Sequence, residues 1–143
     1  MNGRATYGGK TMNELITKFG PVAGRFLLAV IFLLSGIGKI GGFAQTAGFM
    51  AGKGLPMAEV LLVLSIIIEI GAALMLIVGW QARLGAAALF LWMIPVTLVF
   101  HNFWAAAADQ QQIELAMFMK NIAMMGGLLY IMAYGSGRFS VRT

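Results

Sequence analysis

The sequence predicts an all-α integral membrane protein: a bundle of four transmembrane helices, with a short interfacial helix between the first two. Three observations carry that expectation. Of 143 residues, 60% are hydrophobic and only 10% charged, whereas a soluble domain carries about 25% charged residues. Four apolar runs each reach roughly 20 residues, which at about 1.5 Å per residue matches a hydrocarbon core of about 30 Å. In lipid the backbone must satisfy its own hydrogen bonds, so each run is a helix.

Residues 20–41 supply the first span, with the dense apolar core FLLAVIFLLSGIG. In residues 42–56, Phe43, Ala47 and Met50 recur at helical spacing, which predicts a short helix lying at the interface. Gly54 and Pro56 end it. Residues 57–80 form the second span and residues 82–104 the third. The connection before Arg83 is so tight that these two make an antiparallel hairpin. Pro95 removes one helical donor and predicts a kink in the third span. The polar run AAAADQQQ (residues 105–112) is a solvated loop, and residues 113–135 are the fourth span. The organisation is a tail over residues 1–19, a four-helix domain over 20–135 and a second tail over 136–143. Neither an internal repeat nor a second domain is evident.

Four spans put both tails on one side. Arg4, Lys10, Lys18, Arg25, Arg83, Arg138 and Arg142 gather there. The other side holds Lys39 and Lys53 with the acidic Asp109 and Glu114. By the positive-inside rule both termini are expected in the cytoplasm of a bacterial inner membrane. Trp80 and Trp104 fall near span ends, where amphipathic rings prefer to sit. The net charge of +5 thus reads as topogenic, and no basic run interleaved with aromatics argues for nucleic acid. The start is read as a tail before a retained anchor, because the apolar run is too long for a signal peptide and lacks a small-residue cleavage site. There are no cysteines, which excludes disulfides, thiolate metal sites and thiol relays within the chain. One histidine with scattered carboxylates gives no metal site.

Glu69 is the residue that demands chemistry. It sits near the middle of the second span, where a charge costs at least about 2.5–3.5 kcal/mol and normally faces a partner or a cavity. Lys120 lies roughly 10 Å below the loop end of the fourth span. His101 and Asn102 end the third, Ser35 and Lys39 occupy the loop-side half of the first, and Asn121 follows Lys120. A cavity lined by Ser35, Glu69, His101, Asn102, Lys120 and Asn121 would satisfy them together. Ser65, four residues before Glu69, can share its face. Lys39 reads as an interfacial side chain that snorkels to the surface. Arg25 either anchors the opposite side or reaches toward Glu69. The expected partner of Glu69 is Lys120 or Arg25. The methionines of the fourth span are adaptable apolar packing.

The run RFLLAVIFLLSGIGKIG (residues 25–41) resembles the first helix of the DoxX family. TAGFMAGKGLP, Glu69 with Gly71 after it, VGWQAR ending at Arg83, FHNFW, MKN and AYGSGRFSV follow in the order and spacing of that family. The resemblance covers residues 22–141. It implies a small four-helix bacterial inner-membrane protein, related at greater distance to the membrane subunit of a thiosulfate:quinone oxidoreductase and to proteins of redox-stress complexes. It also implies Arg25, Lys39, Glu69, His101, Asn102, Lys120 and Asn121 as pocket residues, without a settled catalytic role. The expected function is a membrane subunit of a redox or quinone-linked complex, accessory rather than self-sufficient in electron transfer, with a quinone as the cofactor such a pocket suits. A small-solute carrier and a non-catalytic assembly subunit are the alternatives. Expected partners are the bilayer, other subunits of a redox complex and a second copy of the chain, but no nucleic acid.

Overall fold

The structure is a computed structural model that describes residues 11–141. Arg4, Lys10 and Arg142, which contribute to the charge asymmetry, and most of the expected N-terminal tail lie outside those residues. Five α-helices and one 3-10 turn follow in order: α1 (Met12–Gly41), α2 (Phe43–Gly52), α3 (Ala58–Val78), α4 (Ala82–Phe100), the turn Phe103–Ala105, and α5 (Gln111–Tyr134). Four of them, all but α2, give segments long and apolar enough to cross a membrane. The expected all-α bundle with a short helix after the first span is what forms.

The largest departure is at the start. Helix α1 begins at Met12, eight residues before the expected span, because Thr11 and Glu14 close a capping box. The Glu14 amide donates to Thr11 Oγ1 (3.3 Å) and the Thr11 amide donates to Glu14 Oε2 (3.2 Å). Two amides that would otherwise be orphaned at the helix start are satisfied. Between α3 and α4, Gly79 takes a left-handed conformation (φ 74°) as the α3 C-cap, and its amide donates to Met75 O. This is a conformation that glycine adopts without steric cost. Helix α4 runs uninterrupted through Pro95.

The spans form an arc rather than a closed ring. Helix α3 packs along α1 on one side and α4 on the other, α5 packs along α4, and α1 and α5 meet only briefly. Small residues bring α3 and α4 together: Ala72 and Ala73 face Ala82, Gly85 and Ala86 in one core with Ala29, Phe32, Leu76, Leu89, Met93 and Leu128. Helix α2 covers the loop end, where its Ala47 and Met50 pack on Leu62 of α3. Large apolar side chains such as Leu27, Ile67, Leu91 and Leu129 stay exposed on the outer faces, as a lipid-facing surface requires. The C-terminal described residues pack on α1 and α3: the rings of Phe19 and Phe139 stack at 5.5 Å, and the Val141 amide donates to Val78 O.

Gly36 sets the α1–α3 approach, since a Cβ there would come within 2.6 Å of Ile70 Cγ1, whereas one at Gly38 would meet nothing within 4 Å. Gly36→Ala is therefore expected to destabilise by about 1–3 kcal/mol. Gly38→Ala is expected to be neutral. Thermal unfolding of both variants in detergent checks the difference.

Candidate functional site

Glu69 lies on the buried face of α3 and is 4% exposed. Its partner is Lys39 of α1. Lys39 Nζ stands 2.5 Å from Glu69 Oε1. Ser65, one turn earlier on α3, donates to the same oxygen at 3.3 Å. Lys39 Nζ also reaches Ser35 Oγ (3.3 Å) and Ser65 Oγ (3.4 Å). The pair cancels the formal charge of both groups, which makes the carboxylate tolerable at that depth. All these contacts fall on Oε1. Glu69 Oε2 is buried with no hydrogen-bond partner among the described residues.

The pair opens into a cavity of about 320 Å³ between α1, α2, α4 and α5. Phe32, Phe49, Phe100 and Trp92 supply aromatic walls, and Met50, Met93 and Met124 supply flexible ones. Trp92 Nε1 is, like Glu69 Oε2, buried without a partner among the described residues. Glu69 and Trp92 thus both line this aromatic-walled cavity, and each has one buried polar atom unanswered. Buried polar atoms are ordinarily paired; besides these two, Arg25 Nε and Ser136 Oγ at the opposite end lack a partner among the described residues. On the α4–α5 side, Asn121 Nδ2 donates to Thr97 Oγ1 at 3.1 Å, and both residues are buried. At the mouth His101 Nδ1 lies 2.9 Å from Glu114 Oε2. No group of three or more His, Cys, Asp or Glu side chains among the described residues could hold a metal ion.

The structure gathers Ser35, Glu69, His101, Lys120 and Asn121 along this cavity and revises four expectations. Lys39 is the counter-charge of Glu69, not a side chain simply drawn to the surface. Lys120 lines the cavity but does not reach Glu69. Its one side-chain contact is Met117 Sδ at 3.4 Å, because α5 packs on α4 and not on α3. Arg25 lies near the chain ends, where its guanidinium donates to Leu76 O (2.7 Å) and Phe139 O (2.5 Å). It answers a free carbonyl in the last turn of α3 and clips the C-terminal segment to α1. Asn102 does not line the cavity. Helix α4 ends at Phe100, and the chain turns so that Asn102 starts the 3-10 turn, its carbonyl accepting from the Ala105 amide. Trp80 and Trp104 are exposed at element ends. Sequence reasoning missed Thr97 and Trp92. Thr97 continues the buried stripe Ala82, Ala86, Leu89, Met93 at steps of three and four, a signal present in the sequence. Trp92 lies off that stripe.

Four spans with a charged pair buried between the first two of them define a multi-pass membrane protein built as a helical bundle. A DoxX family profile matches residues 20–102, from within α1 to just past the end of α4. The chain belongs to the DoxX family. It is 30% identical over 122 residues to "Inner membrane protein YqjF" of Escherichia coli K12, covering 85% of this chain and 88% of the relative. It is 26% identical over 117 residues to "Inner membrane protein YphA" of the same organism, covering 82% and 84%. A "Surfeit locus protein 4 homolog" of Schizosaccharomyces pombe is 27% identical over 124 residues, which is 84% of this chain but 35% of that protein. No solved structure matches the chain significantly.

The ion pair lends itself to a double-mutant cycle. Lys39→Met leaves a buried carboxylate without its cation and is expected to destabilise by about 3 kcal/mol, at the low end for a buried pair because the Lys39 side chain keeps 24% of its exposure. Lys39→Met combined with Glu69→Gln is expected to recover most of that loss. Lys120→Met should change little. Unfolding in detergent and protein abundance in membranes measure all three.

Proposed function

We propose that this protein resides in the bacterial inner membrane with both termini in the cytoplasm, holds a quinone-type ring in the cavity beside Glu69, and serves as the membrane subunit of a redox-linked complex. The observation that carries the reading is that Glu69 and Trp92, each with one unanswered buried polar atom, line one aromatic-walled cavity. The cavity volume of about 320 Å³ falls at the lower end of the range of about 300–1,000 Å³ usual for small-molecule sites.

A quinone, when bound, supplies reversible two-electron and two-proton chemistry. The chain's own residues would hold and orient it. The Trp92 indole N–H would donate to a carbonyl of the oxidised quinone, Phe32, Phe49 and Phe100 would flank the ring, and Glu69 would accept from a hydroxyl of the reduced quinol. Lys39 offsets the charge of Glu69 in the apolar surroundings. His101 and Glu114 stand at the mouth, where a proton would pass to the loop side. With no cysteine in the chain, electron transfer beyond the ring falls to a partner subunit.

Titration of the detergent-purified protein with a short-tailed ubiquinone analogue, followed by tryptophan fluorescence, tests this. The wild type should bind saturably, and Trp92→Phe and Glu69→Gln should each weaken binding roughly tenfold while the protein stays folded, the loss expected for one buried hydrogen bond. Absence of saturable binding overturns the quinone reading. Loss of abundance alone in Glu69→Gln would favour an assembly role.

Orientation has its own support. Lys18, Arg83 and Arg138 lie at the end that holds the termini, while the opposite end carries the acidic Glu59, Glu69, Asp109 and Glu114 beside its lysines Lys39, Lys53 and Lys120. Reporter fusions at the C-terminus should be active with a cytoplasmic fluorescent protein and inactive with alkaline phosphatase.

A further inference from the structure

We infer that the seam between α1 and α5, at the end holding the chain termini, binds an anionic phospholipid, with an acyl chain in the seam and the phosphate against Arg83 and Arg138. The arc of helices leaves this seam as a groove of about 600 Å³. Its walls are apolar, from Pro21 and Leu28 on α1 to Tyr130 and Ile131 on α5, and Arg25 lies at its base. Gly24 also lines it, and a Cβ on Gly24 would meet nothing within 4 Å. The depression is therefore open along its length and suited to a flexible alkyl chain.

The charge around the groove is one-sided. Arg25 is 2% exposed. Two of its nitrogens donate to carbonyls, and Nε has no partner. Among the described residues no carboxylate lies within 4.0 Å of it. Its formal charge is left unneutralised at the base of an apolar groove, where a nearby anion is favoured more strongly than in water. At the mouth the Arg83 side chain lies against Gly135, with Nε 3.2 Å from where a Cβ would stand. Arg138 and Lys18 line the adjoining hollow. None of the three has a carboxylate within 4.0 Å among the described residues. Glu14, which shares the hollow, is engaged in the capping box of α1.

An apolar trough leading to a cluster of cations matches a molecule with a tail and a phosphate. A free anion would have no use for the trough. A second copy docked through the same face would set its own four cations against these, so like charges oppose that occupant. Basic hollows between transmembrane helices are a recurrent setting for acidic headgroups.

The test uses the full chain in nanodiscs of phosphatidylcholine doped with phosphatidylglycerol, then released into detergent and read for retained lipid by native mass spectrometry. Wild-type protein should retain phosphatidylglycerol in preference to phosphatidylcholine. Arg83→Gln with Arg138→Gln, both at exposed positions, should keep a bound lipid but lower the preference on the order of 30-fold, the product of two surface cations. Gly24→Leu, at a position where a Cβ meets nothing within 4 Å, places a side chain in the trough and should abolish retention of either lipid at an unchanged unfolding temperature. Equal retention of the two lipids by the wild type, or retention unaltered in Gly24→Leu, overturns the proposal. So does a dimer that excludes lipid from the groove.

Discussion

Hydrocarbon offers no hydrogen bonds, and the arrangement of this molecule follows from where each polar group finds its answer instead. The backbone is answered within four helices. Glu69 is answered by Lys39 and Ser65, Asn121 by Thr97, and the free carbonyl of Leu76 in the last turn of α3 by Arg25. Each of these contacts crosses from one helix to another or closes a turn. The polar groups therefore fix which helices are neighbours, in a bundle whose apolar side chains would pack almost as well against lipid.

The neighbour order α1–α3–α4–α5 has a geometric result. An arc has an open side, and here that side is the seam between α1 and α5. At the loop end helix α2, packed on α3, lines the cavity beside Glu69. At the other end no helix covers the seam, and a groove remains between Gly24 and Tyr130. The two sites are the two halves of one gap. They differ in character because the lower half has Arg25 at its base, whose charge meets only carbonyls, while the upper half has a carboxylate already neutralised.

The number of spans, their type and the short helix after the first were legible in the sequence, because apolar length and the Gly54–Pro56 break depend on local chemistry. The Thr11–Glu14 capping box was equally local, and it accounts for the early start of α1. Membership of the cavity was legible for Ser35, Glu69, His101, Lys120 and Asn121, since depth along each span can be counted from its ends. The choice of partner for Glu69 was not. Depth alone points to Lys120 and Arg25 and sets Lys39 at the surface, whereas the lateral order of the helices gives Glu69 to Lys39. That order depends on small-residue contacts such as Gly36 with Ile70 and Gly85 with Ala72, which no single span reveals. Trp92 was invisible for a similar reason, as its role comes from an aromatic cavity assembled by several helices.

Thirty residues separate Lys39 from Glu69. At a synthesis rate of about 5–20 residues per second, α1 waits about 2–6 s for its counter-charge to be made. During that interval Lys39 has only the interface to reach for, and its long side chain snorkels there. When α3 arrives, the same ammonium turns inward and the helix pair is locked by charge. The ion pair marks the point at which the first two spans become one unit.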